Sequence, residues 1–154
     1  MTKKKFLWGM LVFVFGLVLA GCPTDGDGGG GGGNNGAPAT SGKLTITGLG
    51  SYNGKFAYAT GSIGGASAVV CAKVTSEAAI EAVLISGGQV ELPVYKYADY
   101  KYESYSGNDT VSTLSITIYS SKVIGAQATA IGSSSVTFAS GVGTVSNPTL
   151  TAVP

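Results

Sequence analysis

The chain predicts an all-β domain, a small two-layer sandwich of about eight short antiparallel strands following a disordered Gly-rich tether. Three observations carry that expectation. Apolar and polar residues alternate with period two in Leu44, Ile46 against Thr45, Thr47, in Val90, Leu92, Val94 against Gln89, Glu91, and in Leu114, Ile116, Ile118 against Ser115, Thr117. Short β-branched runs are broken at regular intervals by Gly, Ser, Asn and Asp. No long helical period alternates with these runs, which excludes the strand–helix rhythm of a parallel α/β fold.

Strands are expected over 43–49, 54–61, 67–74, 82–86, 89–95, 111–120, 134–139 and 142–146. Gly87-Gly88 supplies two residues able to take positive φ, which predicts a two-residue hairpin between Val83-Leu84-Ile85 and Val90 through Val94. Ser140-Gly141 repeats the signal between Phe138 and Val145. The repetition hints at a duplicated strand–loop–hairpin unit. Ser76 to Val83 predicts the one helical stretch, a turn or two, because Glu77, Ala78, Ala79, Glu81 and Ala82 are good helix formers and Ser76 suits an N-cap. Turn spacing of this kind suits an immunoglobulin-like or transthyretin-like sandwich, with a closed barrel as the other architecture.

Before this domain, residues 1–21 carry Lys3, Lys4 and Lys5 and then an apolar run from Phe6 to Ala20. A helix of that run spans roughly 22 Å, short of a hydrocarbon core of about 30 Å, so it reads as an export signal rather than a permanent span. Leu19-Ala20-Gly21-Cys22 follows directly, and this resembles the lipobox of bacterial lipoproteins. The resemblance covers about the first 22 residues and implies that Cys22 receives a thioether-linked diacylglycerol and, after cleavage before it, an N-acyl chain. It implies a chain held in a bacterial membrane by Cys22, facing the periplasm or the cell surface, with no other cofactor. Residues 22–42, with Gly28 to Gly33 unbroken and no aliphatic side chain larger than Ala, predict a flexible tether, and residues 43–154 the β domain.

The 154 residues hold 25 Gly, nine Lys, eight acids, no His and no Arg, for a formal charge of +1. Removal of the three leader lysines leaves the mature chain near −2, which offers neither a basic stripe for nucleic acid nor a basic membrane patch. Without His, and with no Gly-x-Ser-x-Gly elbow, the common nucleophile–base arrangements are missing, and the expectation is a non-enzyme. Gly48, Gly50, Gly54 and Lys55 miss the spacing of both phosphate-binding motifs. Asp99, Glu103, Asn108 and Asp109 lack the rhythm of a calcium loop, so no metal is expected. Cys71, in an apolar run, reads as an inert core thiol, and with Cys22 acylated no intramolecular disulfide is available.

Residues 95–105 hold five of the eight tyrosines: Tyr95, Tyr97, Tyr100, Tyr102 and Tyr105. Tyrosine offers a flat apolar face and a hydroxyl at small entropic cost, which suits a binding surface for a protein or glycan partner. The alternative is an edge segment whose rings only cover the sheet. The chain is thus expected to be a lipid-anchored envelope protein displaying a non-catalytic binding module; a structural envelope component with no discrete ligand is the second reading.

Overall fold

The computed structural model describes residues 36–154. The expected export signal, Cys22 and most of the expected tether lie outside the described residues. Twelve strands follow in order: β1 (Gly42–Thr47), β2 (Phe56–Ile63), β3 (Ser67–Cys71), β4 (Lys73–Ser76), β5 (Ala79–Glu81), β6 (Val83–Leu84), β7 (Gln89–Ala98), β8 (Lys101–Ser104), β9 (Thr110–Tyr119), β10 (Ala128–Thr137), β11 (Val142–Ser146) and β12 (Leu150–Ala152).

Ten of them form one sheet, ordered β11-β1-β7-β3-β2-β9-β10-β12, with β6 added to β2 and β8 to β7; β4 and β5 make a separate two-stranded sheet. The alternation seen in the sequence orients each strand. Leu44 and Ile46 of β1, Val90, Leu92 and Val94 of β7, and Leu114, Ile116 and Ile118 of β9 are buried in one cluster, joined by Ala57, Ala59, Val69, Cys71, Ala130, Val136 and Val145. Inward residues of seven strands of one sheet therefore meet in a single core. That requires the sheet to curl into a half-barrel, as twisted sheets do when one face is apolar. A register shift opposite Ser134/Val136 resets the alternation of β9, so that Val111 and Leu114 both point inward.

The fold is all-β as expected, but the two-layer antiparallel sandwich is corrected. The large sheet is single and mixed, since β1 pairs antiparallel with β7 and parallel with β11. Period-two alternation states only that each strand has a dry face. It is equally satisfied when dry faces oppose across two sheets and when one sheet wraps round them.

Both glycine turns form, with Gly87 at φ 62° and Gly88 at 73°, Ser140 at 50° and Gly141 at 79°. Each closes one tight bridge, Ser86–Gln89 and Ala139–Val142, and then the strands part. Val83 and Leu84 pair with Ala57 and Phe56 of β2 instead of with β7. The two turns deliver β7 and β11 to opposite sides of β1 and in opposite directions, so the sequence echo does not translate into two equivalent halves.

The helix expected over 76–83 is also corrected. Val74 pairs with Ile80 and Ser76 with Ala79 about a Glu77-Ala78 turn, and Thr75 Oγ1 donates to the Ala79 carbonyl at 3.1 Å. Eight residues cannot offset the cost of helix nucleation alone, whereas burial of Val74 and the approach of Glu81 to Lys122 (3.0 Å) and Lys73 (3.9 Å) favour the hairpin. Val70, Ala72, Val74, Ala82, Tyr95 and Tyr119 form buried apolar surface outside the main cluster. Val70 and its cross-strand partner Tyr95 face away from the core side of the sheet.

Candidate functional site

The tyrosine-rich segment folds as β7, a two-residue turn and β8. The register Tyr95–Ser104, Lys96–Glu103, Tyr97–Tyr102, Ala98–Lys101 places Asp99 and Tyr100 alone at the tip. Period two along β7 puts Val94 inward and Tyr95 and Tyr97 on the outer face. Tyr97 and Tyr102, directly opposite, lie with ring centroids 4.6 Å apart, and Tyr102 meets Tyr95 edge-on at 6.2 Å.

The five tyrosines thus separate into three environments. Tyr95 (4% exposed) and Tyr105 (3%) are structural. Tyr105 stacks edge-on against Phe138 at 5.2 Å and its hydroxyl donates to Asp109 Oδ2 at 2.9 Å, inside the main core. Tyr97 and Tyr102 are half-buried and support one another. Tyr100 is 92% exposed. Its φ is 63° and that of Asp99 is 52°, the paired left-handed geometry of a type I′ turn built without glycine. Aspartate tolerates that region; a bulky tyrosine there stores on the order of 1 kcal/mol or more of strain. A strained backbone that lifts an aromatic ring into solvent is the most distinctive local feature of the domain.

Residues without a sequence signal complete the surroundings. Thr40 Oγ1 donates to the Val94 carbonyl at 2.7 Å and Ser41 N to Ser104 Oγ at 3.1 Å, so the last residues before β1 are already bonded to the domain. Beyond them, Gly36 to Ala39 run past Tyr102, Lys101 and Glu77 and bound an open groove of ≈ 530 Å³. Lys101 pairs with Glu103 at 3.0 Å, which raises the lysine pKa and lowers that of the glutamate.

The oxygen-bearing residues considered for a cation are occupied otherwise. Asn108 Oδ1 accepts from Ser140 N at 2.7 Å and Asp109 from Tyr105, while Asp99 sits in the tip turn. Among the described residues no three His, Cys, Asp or Glu side chains cluster as metal ligands. Cys71 is fully buried in the core cluster, and burial pushes its thiol pKa far up. It is expected to resist alkylation in the folded chain and to react only on unfolding, as mass spectrometry after iodoacetamide treatment with and without denaturant will show.

Burial also raises the Tyr102 and Tyr105 hydroxyls from near 10 to about 12, with the Asp109 hydrogen bond contributing at Tyr105. The folded state therefore keeps protons that the unfolded chain releases. The stability this represents is complete below pH about 10 and is lost as the pH rises from there through about 12. Chemical denaturation across that interval is expected to show the decline, and Tyr105→Phe to reduce it to the Tyr102 contribution while costing about 1 kcal/mol at neutral pH. Comparison of the chain with family models, with curated proteins and with solved structures finds no match.

Proposed function

We propose that the chain is a lipid-anchored protein of a bacterial envelope whose β domain is a non-catalytic contact module, with the Tyr97–Tyr100–Tyr102 tip as its contact surface. The lipobox resemblance at Leu19 to Cys22 supports the anchor. The observation that carries the contact surface is Tyr100, an aromatic side chain held 92% exposed by left-handed backbone where glycine would be unstrained. Tyr95 and Tyr105, counted with the surface on sequence, belong to the fold.

Nitration of intact envelopes with tetranitromethane, followed by peptide mass spectrometry, tests the reading. Tyr100 is expected to be protected in the envelope and freely nitrated after detergent extraction, with half-buried Tyr52 as internal reference. Equal nitration of Tyr100 in both states overturns the contact role. Tyr100→Gly is expected to leave stability unchanged or to raise it by up to about 1 kcal/mol, since relief of backbone strain offsets the unfolded-state entropy of glycine. A clear drop in the denaturation midpoint contradicts the strain argument.

A further inference from the structure

Which surface the tip meets follows from where the chain leaves the domain. β7 pairs with β1 over Gln89–Val94 and with β8 over Tyr95–Ala98 on the same edge, so β8 continues the line of β1 past its first residue. The chain entering β1 therefore comes from the β8 side. Gly36 to Ala39 share the lining of one groove with Lys101 and Tyr102, which places this stretch on the tyrosine side of the domain.

Fourteen Cα–Cα steps, with thirteen residues between, separate Gly36 from Cys22. At full extension they reach about 48 Å, the upper limit on the distance from Gly36 to Cys22. An anchor at Cys22 thus holds the tyrosine end of the domain within a few tens of ångströms of the lipid, and a tether of that length gives a millimolar effective concentration. At such a concentration even a weak contact is populated.

The chemistry of the tip suits a bilayer surface. Tyrosine rings partition to the headgroup level, where one end is apolar and the other wet. Lys96, Asp99, Lys101 and Glu103 sum to zero charge and Glu77 beside Lys101 adds one negative charge, so the tip carries no basic patch and does not depend on anionic lipid.

We propose that the Tyr97–Tyr100–Tyr102 tip docks into the headgroup layer of the same membrane that holds Cys22, so that the domain stands on its tyrosine end rather than swinging freely on its tether. This rests on the anchor reading, and the experiment separates the two. The natural tryptophan, Trp8, leaves with the export signal, so the processed variants Tyr100→Trp and Ser86→Trp each carry a single indole reporter, at opposite ends of β7. The full lipidated chain is placed in phosphatidylcholine vesicles containing headgroup nitroxide lipid, and mass spectrometry checks acylation of Cys22.

Emission of the Tyr100→Trp variant is expected to be blue-shifted and quenched severalfold more than that of Ser86→Trp, unchanged by salt or by added phosphatidylglycerol, and weakened by Tyr97→Ser with Tyr102→Ser. An acylated, vesicle-bound chain in which both reporters are equally unquenched overturns the docking and leaves the anchor standing. Quenching that requires phosphatidylglycerol overturns the charge-neutral contact. An unquenched tip reporter that responds to peptidoglycan fragments assigns the tip to a glycan and overturns the membrane contact. An unacylated Cys22 overturns the docking and the anchor together.

Discussion

Cys22→Ser is expected to abolish incorporation of labelled palmitate and to leave the leader attached, read directly from the mass of the N-terminal peptide. A cysteine thiol is partly ionised near neutrality and intrinsically nucleophilic, whereas a serine hydroxyl is neither, so the oxygen isostere keeps the size and removes the chemistry. By resemblance to lipoproteins, cleavage before residue 22 follows acylation, so one atom controls both events. The energetic consequence is large, since each buried methylene contributes about 0.8 kcal/mol and two or more chains together hold a protein firmly. Persisting acyl label, or normal cleavage of the serine variant, would contradict the anchor.

Phe138→Ala is expected to destabilise the domain by about 3–5 kcal/mol, a large share of the roughly 5–15 kcal/mol that typical domains possess. Phe138 is 1% exposed and lies in the main core cluster, in the connection between β10 and β11. Its ring meets Tyr105 edge-on at 5.2 Å and lies over Gly143 of β11, where an added Cβ would stand 3.0 Å from two ring carbons and 2.7 Å from Val136 Cγ2. Gly143→Ala alone is therefore expected to cost about 1–3 kcal/mol by overpacking. Combined with Phe138→Ala its cost should shrink, because the vacated ring space accepts the methyl group. Chemical denaturation of the two single variants and the double variant checks the coupling, and strict additivity would place the two residues out of contact.

The legible parts of the fold are those where one strand carries its own signal. Leu44 and Ile46, or Leu114, Ile116 and Ile118, announce a strand and its inner face without reference to a partner. β10 is readable only from residue 134, although it begins at Ala128, because Ala128, Ala130 and Gly132 are too small to mark an apolar face. Gly132 is small for a non-local reason, as a Cβ there would lie 2.3 Å from the Thr149 carbonyl oxygen. The parallel placement of β11 beside β1 depends on curl and on the Ser140-Gly141 corner, and neither leaves a local pattern. The tyrosine stretch stands out by composition, but its partition does not. Period two assigns Tyr95 and Tyr97 to the outer face, whereas the burial of Tyr105 depends on Phe138, thirty-three positions away in the chain.

The parallel pairing of β1 with β11 also constrains when the domain can form. Lys43 must wait for Val142, and Thr47 for Ser146, before the first strand gains its second neighbour. Contacts so distant along the chain delay folding, because loop closure precedes any gain from the contacts it permits. A polypeptide emerging N-terminus first stays uncommitted until nearly all of it has been synthesised. Under the proposed export route, that delay suits a precursor that threads a membrane as an open chain and assembles its sheet on the far side.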